Sequence, residues 1–208
     1  MAWTTPVTQP TGVLITAAIW NAQVPNNMSY LHDKGVLTIF DSTVVGSPVA
    51  SIDIPGIVAT YADLELEIRA FGTAVAPTSV LGIRLNGDAG SNYYAQLLGA
   101  HAASVTTAEN LAITYLSLGD VPALNSLNTG SVMVDIPDYT QTGSRHTFQS
   151  RWVVATAGTT GTTLIGLGGG FWDDSGGAAA AINRISLLLS AGSFAVGTRV
   201  ILRAKGSG

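Results

Sequence analysis

The chain has 208 residues, 47% of them hydrophobic and only 11% charged, with no cysteine and a net charge of −4. The apolar content is enough for one domain-sized core, whereas two lysines and seven arginines scattered through an acidic chain provide no basic stripe for a phosphate backbone, so nucleic acid is not an expected partner. Disulfides, thiolate metal sites and cysteine nucleophiles are excluded together.

Charge at less than half the roughly 25% of ordinary soluble domains suits a surface packed permanently against neighbours better than that of a free monomer. No apolar stretch approaches the ~18 residues needed to cross a bilayer, and no basic segment followed by an apolar one opens the chain. Neither a membrane location nor signal-peptide export is expected.

In chain order, residues 1–34 form a first unit, an N-terminal arm. Trp3, the Thr4-Thr5-Pro6 run and Gln9-Pro10 favour extended backbone, because each proline fixes its own φ and restricts the residue before it. Thr16 then serves as N-cap of one short helix through Gln23, which Pro25 ends or kinks. Two tryptophans in such a leader, each able to bury up to about 250 Å², need somewhere to dock. Trp3, Pro6, Ile15, Ile19, Trp20, Met28 and Leu31 are the candidate attachment or oligomer-contact residues. Two destinations remain open, the chain's own β-body and a neighbouring subunit or larger particle.

Residues 35–208 read as a single β-domain. Leu64, Leu66 and Ile68 alternate with Glu65, Glu67 and Arg69 at period two, the pattern of a half-buried antiparallel strand. Further strands are expected at 36–40, 49–54, 80–85, 93–98, 112–116, 131–136, 146–154, 182–189 and 198–203, with a hairpin turn at Asn86-Gly87 and another turn at Pro137-Asp138. The expected fold is all-β: an antiparallel, jelly-roll-like β-sandwich with an extended N-terminal arm and one short helix.

Catalytic chemistry is sparse. His32, His101 and His146 lie far apart without metal-ligand spacing, and they read as surface or satisfied turn residues. Asn86 to Asn92 lacks the acidic density and closing glutamate of a calcium loop. Gly166 to Gly170 is no phosphate loop, because no Lys-Ser/Thr follows. No enzyme, metal or cofactor is expected. A sugar-stacking site at Trp172, with Asp173, Tyr93 and Tyr94 as further glycan contacts, competes with the reading in which Phe171 or Trp172 fills the core.

The string Trp3-Thr4-Thr5-Pro6, Gly12, Ile15-Thr16-Ala17-Ala18 and Asn21 resembles the opening of many tailed-bacteriophage virion proteins. A second series resembles the jelly-roll-like modules of phage tail and appendage proteins: Leu81-Gly82-Ile83-Arg84-Leu85-Asn86-Gly87-Asp88, Ser91-Asn92-Tyr93, Ile136 to Tyr139, Gly168 to Trp172, and Ala181 to Ile185. The two together cover about twenty N-terminal residues and approximately residues 60–204. They imply a virion structural component, of capsid-decoration, collar or tail-surface type. Such a subunit is anchored by its arm, assembles as a symmetric oligomer such as a homotrimer, and has other virion proteins as partners. A receptor- or carbohydrate-binding tail appendage that contacts a host-surface glycan is the alternative the resemblance implies. Pro25 interrupts the helix-and-coil continuation common in that group, which argues against a long fibre shaft.

Overall fold

The computed structural model describes residues 16–18, 20, 36–44, 46–74, 78–101, 104–123, 129–156, 162–174 and 180–206. Within them the chain forms twelve strands: β1 (Val36–Thr43), β2 (Ser51–Ile54), β3 (Asp63–Arg69), β4 (Thr78–Leu85), β5 (Tyr93–His101), β6 (Ser104–Ile113), β7 (Leu116–Pro122), β8 (Thr129–Ile136), β9 (His146–Thr156), β10 (Thr162–Trp172), β11 (Ile185–Leu189) and β12 (Arg199–Lys205). They make an eight-stranded sheet, ordered β1-β12-β3-β8-β9-β10-β5-β6, and a four-stranded sheet, ordered β2-β11-β4-β7. Every pairing between these strands is antiparallel.

Remove β5, β6, β9 and β10 from these orders and what remains is two four-stranded sheets, β1-β12-β3-β8 facing β2-β11-β4-β7. That is the double Greek key of a jelly roll. The other four strands are two hairpins inserted in the chain, β5–β6 between β4 and β7 and β9–β10 between β8 and β11. Both add to the β8 side of the larger sheet, where they make a contiguous β9-β10-β5-β6 extension.

Period-two patterning accounts for the core. In β3, Leu64, Leu66 and Ile68 point inward and are fully buried against Ile83, Leu85, Leu187 and Val200 in one apolar cluster. On the opposite face Glu65 and Glu67 meet β12, where Arg203 approaches Glu65 at 3.3 Å and Glu67 at 2.6 Å, and Lys205 pairs with Glu65. Partly exposed cross-strand pairs of this sort contribute modestly, about 0.2–1 kcal/mol each, but they favour the register that buries the leucines.

Several expectations need correction. Asn86 and Gly87 both take positive φ, +50° and +76°, and Asp88 N–H donates to Leu85 C=O at 2.8 Å. The turn is therefore present, but it carries the chain from β4 in one sheet to β5 in the other. It is a corner between sheets and not a hairpin. The strand expected at 112–116 falls on the bend between β6 and β7, while β6, β7 and β10 as they stand were not anticipated.

Of the arm, only Thr16, Ala17, Ala18 and Trp20 are described; Trp20 N–H donates to Thr16 C=O at 3.0 Å, and the Trp20 side chain is 54% exposed. The expected short helix is not seen as an element among the described residues. Trp3, Pro6, Ile15, Ile19, Met28, Leu31 and the rest of that segment lie outside them.

Candidate functional site

The inserted extension is where the protein departs most from a plain jelly roll. Strand β10 sits at its centre, between β9 and β5, with Gly166 opposite Trp152 and Gly99, and Gly168 opposite Ser150 and Leu97. Its inward positions are Leu164, Gly166, Gly168, Gly170 and Trp172. The glycines make room for bulk supplied by neighbouring strands. A Cβ at Gly166 would stand 2.0 Å from Cζ2 of Trp152, and one at Gly119 of β7 would stand 2.4 Å from Cδ2 of the same ring. Trp152 thus fills the space between β10 and β7, in the gap between the sheets.

At one end of the extension a second indole is fixed by polar contacts. Trp172, 1% exposed, donates its Nε1–H to Asp88 Oδ2 at 2.7 Å. Asn92 Nδ2 reaches the same oxygen at 2.9 Å, and Gly90 N–H reaches Asp88 Oδ1 at 2.7 Å. Burial pushes the Asp88 carboxyl up, but these three donors and the nearby Arg84 hold it below its ordinary value. Tyr93 and His146 stack on either side of Trp172, with ring centroids 6.4 Å and 5.8 Å away. Tyr93 is fully buried, accepts Leu85 N–H and donates to Asp88 C=O, each at 3.0 Å. His146 is buried in β9 with Nε2 3.0 Å from Ala180 C=O, an acceptor, so Nε2 carries the proton. Desolvation lowers its pKa.

This placement corrects the glycan reading. Tyr93 and Trp172 are core residues with no ring face presented to solvent, because Asp88 satisfies the indole and two aromatic rings flank it. His146 is a satisfied core residue and not a surface or turn histidine. Tyr94 and Asp173 remain partly exposed. Tyr94 stacks on Phe171 with centroids 4.6 Å apart, Arg145 lies 4.6 Å above the Phe171 ring, and Asp173 pairs with Arg145 at 2.9 Å. Both groups that a sugar would need are engaged by this stack.

The outer face of the extension is apolar. Side chains that alternate away from the core bring Val153, Ile165, Ala100 and Val105 into one cross-strand row, and Arg151, Leu167, Leu98 and Thr107 into the next. Leu98, Val105, Leu111, Val153, Ile165 and Leu167 are 42–71% exposed. Among the described residues just three other large hydrophobic side chains are comparably exposed, Trp20, Val58 and Val196, and none is on the extension. Gly169, the outward glycine of β10, leaves a depression beyond Leu167 that Gln96 and Leu98 border. Two charges flank the apolar rows, Arg151 on β9 and Glu109 on β6. Both are exposed, and neither has an ion-pair partner among the described residues.

No family model and no curated protein matches the chain. Among solved structures it aligns with a chain of "Structure of infectious bursal disease virus Gx strain" at 12% identity, over 83% of this chain and 42% of that one, with a TM-score of 0.12. A likeness at that level carries no argument about fold or function.

None of the expected attachment residues can be related to the outer face, since Trp20 alone is described. The face itself escaped sequence reading because its residues are ordinary strand formers. Their outward direction becomes visible once β10 is known to place its glycines inward.

Proposed function

We propose that the protein is a structural subunit of a bacteriophage virion, of capsid-decoration, collar or tail-surface type, which assembles as a homotrimer through the outer face of its β9-β10-β5-β6 extension. The observation that carries this reading is the continuous apolar face on strands added to a complete jelly roll. Contiguous exposed apolar surface in a soluble protein marks an interaction site, and the chain's low charge content points the same way. The virion assignment is supported by the resemblance of residues 3–21 and approximately 60–204 to tailed-phage proteins. In this reading the arm of residues 1–34 attaches the trimer to its neighbour in the particle.

A second copy of the chain is the occupant the charges favour. Arg151 and Glu109 stand on the same outer face but on the two outermost strands of the extension, with the apolar rows between them. A head-to-tail contact, the kind that closes cyclic rings, can bring Arg151 of one copy against Glu109 of the next while their apolar rows meet.

The test is the solution mass of the full-length chain carrying Arg151→Glu, and of the double variant Arg151→Glu/Glu109→Arg. The single variant is expected to dissociate, and restoring opposite charges in the double variant is expected to restore the oligomer. Identical masses for wild type and both variants would remove the interface from this face.

A further inference from the structure

The extension also has an inner side. Beyond edge strand β7 the inner face of β5, β6 and β10 is not covered by the smaller sheet, and a cleft of about 370 Å³ opens there. That volume lies at the lower end of the roughly 300–1,000 Å³ range of small-molecule sites. We propose that this cleft binds a neutral saccharide, with Tyr115 as the stacking platform and Asp120 as the acceptor of its hydroxyl groups.

Three features support this assignment. Tyr115 lies against Gly82 of β4, where a Cβ would stand 2.4 Å from ring carbon Cδ2, so a glycine is required beneath the ring. The ring is half-buried and borders the cleft, a fixed apolar plate of the kind a pyranose stacks upon.

Asp120, on β7, lines the cleft half-buried, and among the described residues no hydrogen bond or ion pair reaches its carboxylate. Burial raises its pKa. A carboxylate that is partly desolvated and unpaired loses hydration without recompense, and a ligand hydroxyl supplies the missing donor.

The remaining lining selects among ligand classes. Thr106, Asn110 and Ser117 border the cleft with uncharged donors and acceptors, and Asn110 Nδ2 donates to Ser117 Oγ at 3.3 Å. Among the described residues no lysine or arginine lines the cleft, which disfavours an anion, and Asp120 is the one carboxylate there, too few for a divalent cation. An isolated ammonium would satisfy Asp120 but leave the ring of hydroxyl and amide groups unused. A polyol engages both. Tyr115 and Asp120, on the β6–β7 connection and β7, belong to neither apolar row of the extension, so this inference does not depend on the assembly reading.

The test is a ¹H–¹⁵N NMR titration of the full-length protein with a panel of hexoses, N-acetylhexosamines, deoxyhexoses and sialic acid, with L-arginine as a cationic probe. Saturable shifts confined to the amides of Thr106, Asn110, Tyr115, Ser117 and Asp120 are expected with at least one neutral sugar. Asp120→Asn and Tyr115→Ala, each checked for an unchanged fold by its amide spectrum, are expected to weaken that binding about tenfold or more, the loss of one charge-assisted contact or one stacked ring. Shifts that persist in both variants, shifts produced by L-arginine or sialic acid alone, or no shifts at these amides with any sugar would each overturn the assignment.

Discussion

The Trp152 indole occupies the place where a side chain of Gly166 would be, with Cζ2 2.0 Å from an ideal Cβ at that glycine. The relationship links an inserted strand to the jelly-roll core, since the same ring also excludes a Cβ from Gly119 on β7. Gly166→Ala therefore forces the indole off its packing position. The expected cost is about 1–3 kcal/mol, typical of overpacking in a filled core. Gly169→Ala, which faces outward with its nearest atom at 3.6 Å, is expected to stay within about 0.5 kcal/mol of wild type. Chemical denaturation of the pair checks this, and equal costs at the two positions would contradict the inward packing of β10.

Asp88 ties the β4–β5 corner to the end of β10. Because its folded carboxyl lies below the ordinary 3.8, it contributes stability that is present above that value and lost as pH falls through the folded pKa. Asp88→Ala orphans the buried Trp172 Nε1–H, at an expected cost of about 1–3 kcal/mol. The melting temperature of this variant should converge on that of wild type as the pH is lowered below 3.8.

His146 has the opposite charge chemistry and the same direction of effect. Its folded pKa is depressed below 6.5 by burial, so the unfolded chain takes up a proton before the folded one does. Stability is full above 6.5 and declines as pH drops from there toward the folded pKa. The His146 ring is expected to remain neutral, by NMR, at pH values where an exposed histidine is already protonated.

Asp120 behaves in reverse. Its folded carboxyl is raised above 3.8 by burial, so its contribution is most favourable when protonated, below 3.8, and is lost as pH rises through the folded pKa. Among the described residues no other charged side chain lines its cleft. Asp120→Asn is expected to melt at or above the wild-type temperature near neutral pH, with that advantage disappearing in acid. A variant less stable than wild type at neutral pH would show that the carboxylate has a partner in the fold.

Much of the jelly roll was legible in the chain. The alternation of Leu64, Leu66 and Ile68 with charged residues marked β3, and β1, β4, β5, β8, β9 and β12 were each found within a few residues. The extension was hidden for two physical reasons. Strand β10 places glycine at three of its inward positions because Trp152, Ser150 and other neighbours fill that space, so it shows no alternation of large apolar residues. Strand β6 is an edge strand exposed along most of its length, so it carries no buried apolar alternation to mark it. Trp172 stood between a glycan contact and a core position, and the core reading holds; Tyr93, named only as a glycan contact, is buried beside it, and Asp88, the hydrogen-bond partner of both, comes from another element.

The central claim is that the outer face of the extension joins copies of this chain, and light scattering of the full-length protein beside Leu98→Glu/Leu167→Glu tests it most directly. These two side chains are direct cross-strand partners at the middle of the apolar face, exposed enough that the substitutions leave the core intact. The account predicts a wild-type mass of three times 21.3 kDa and a folded variant of 21.3 kDa. A wild type that is already monomeric, or a variant that keeps the wild-type mass, would contradict it.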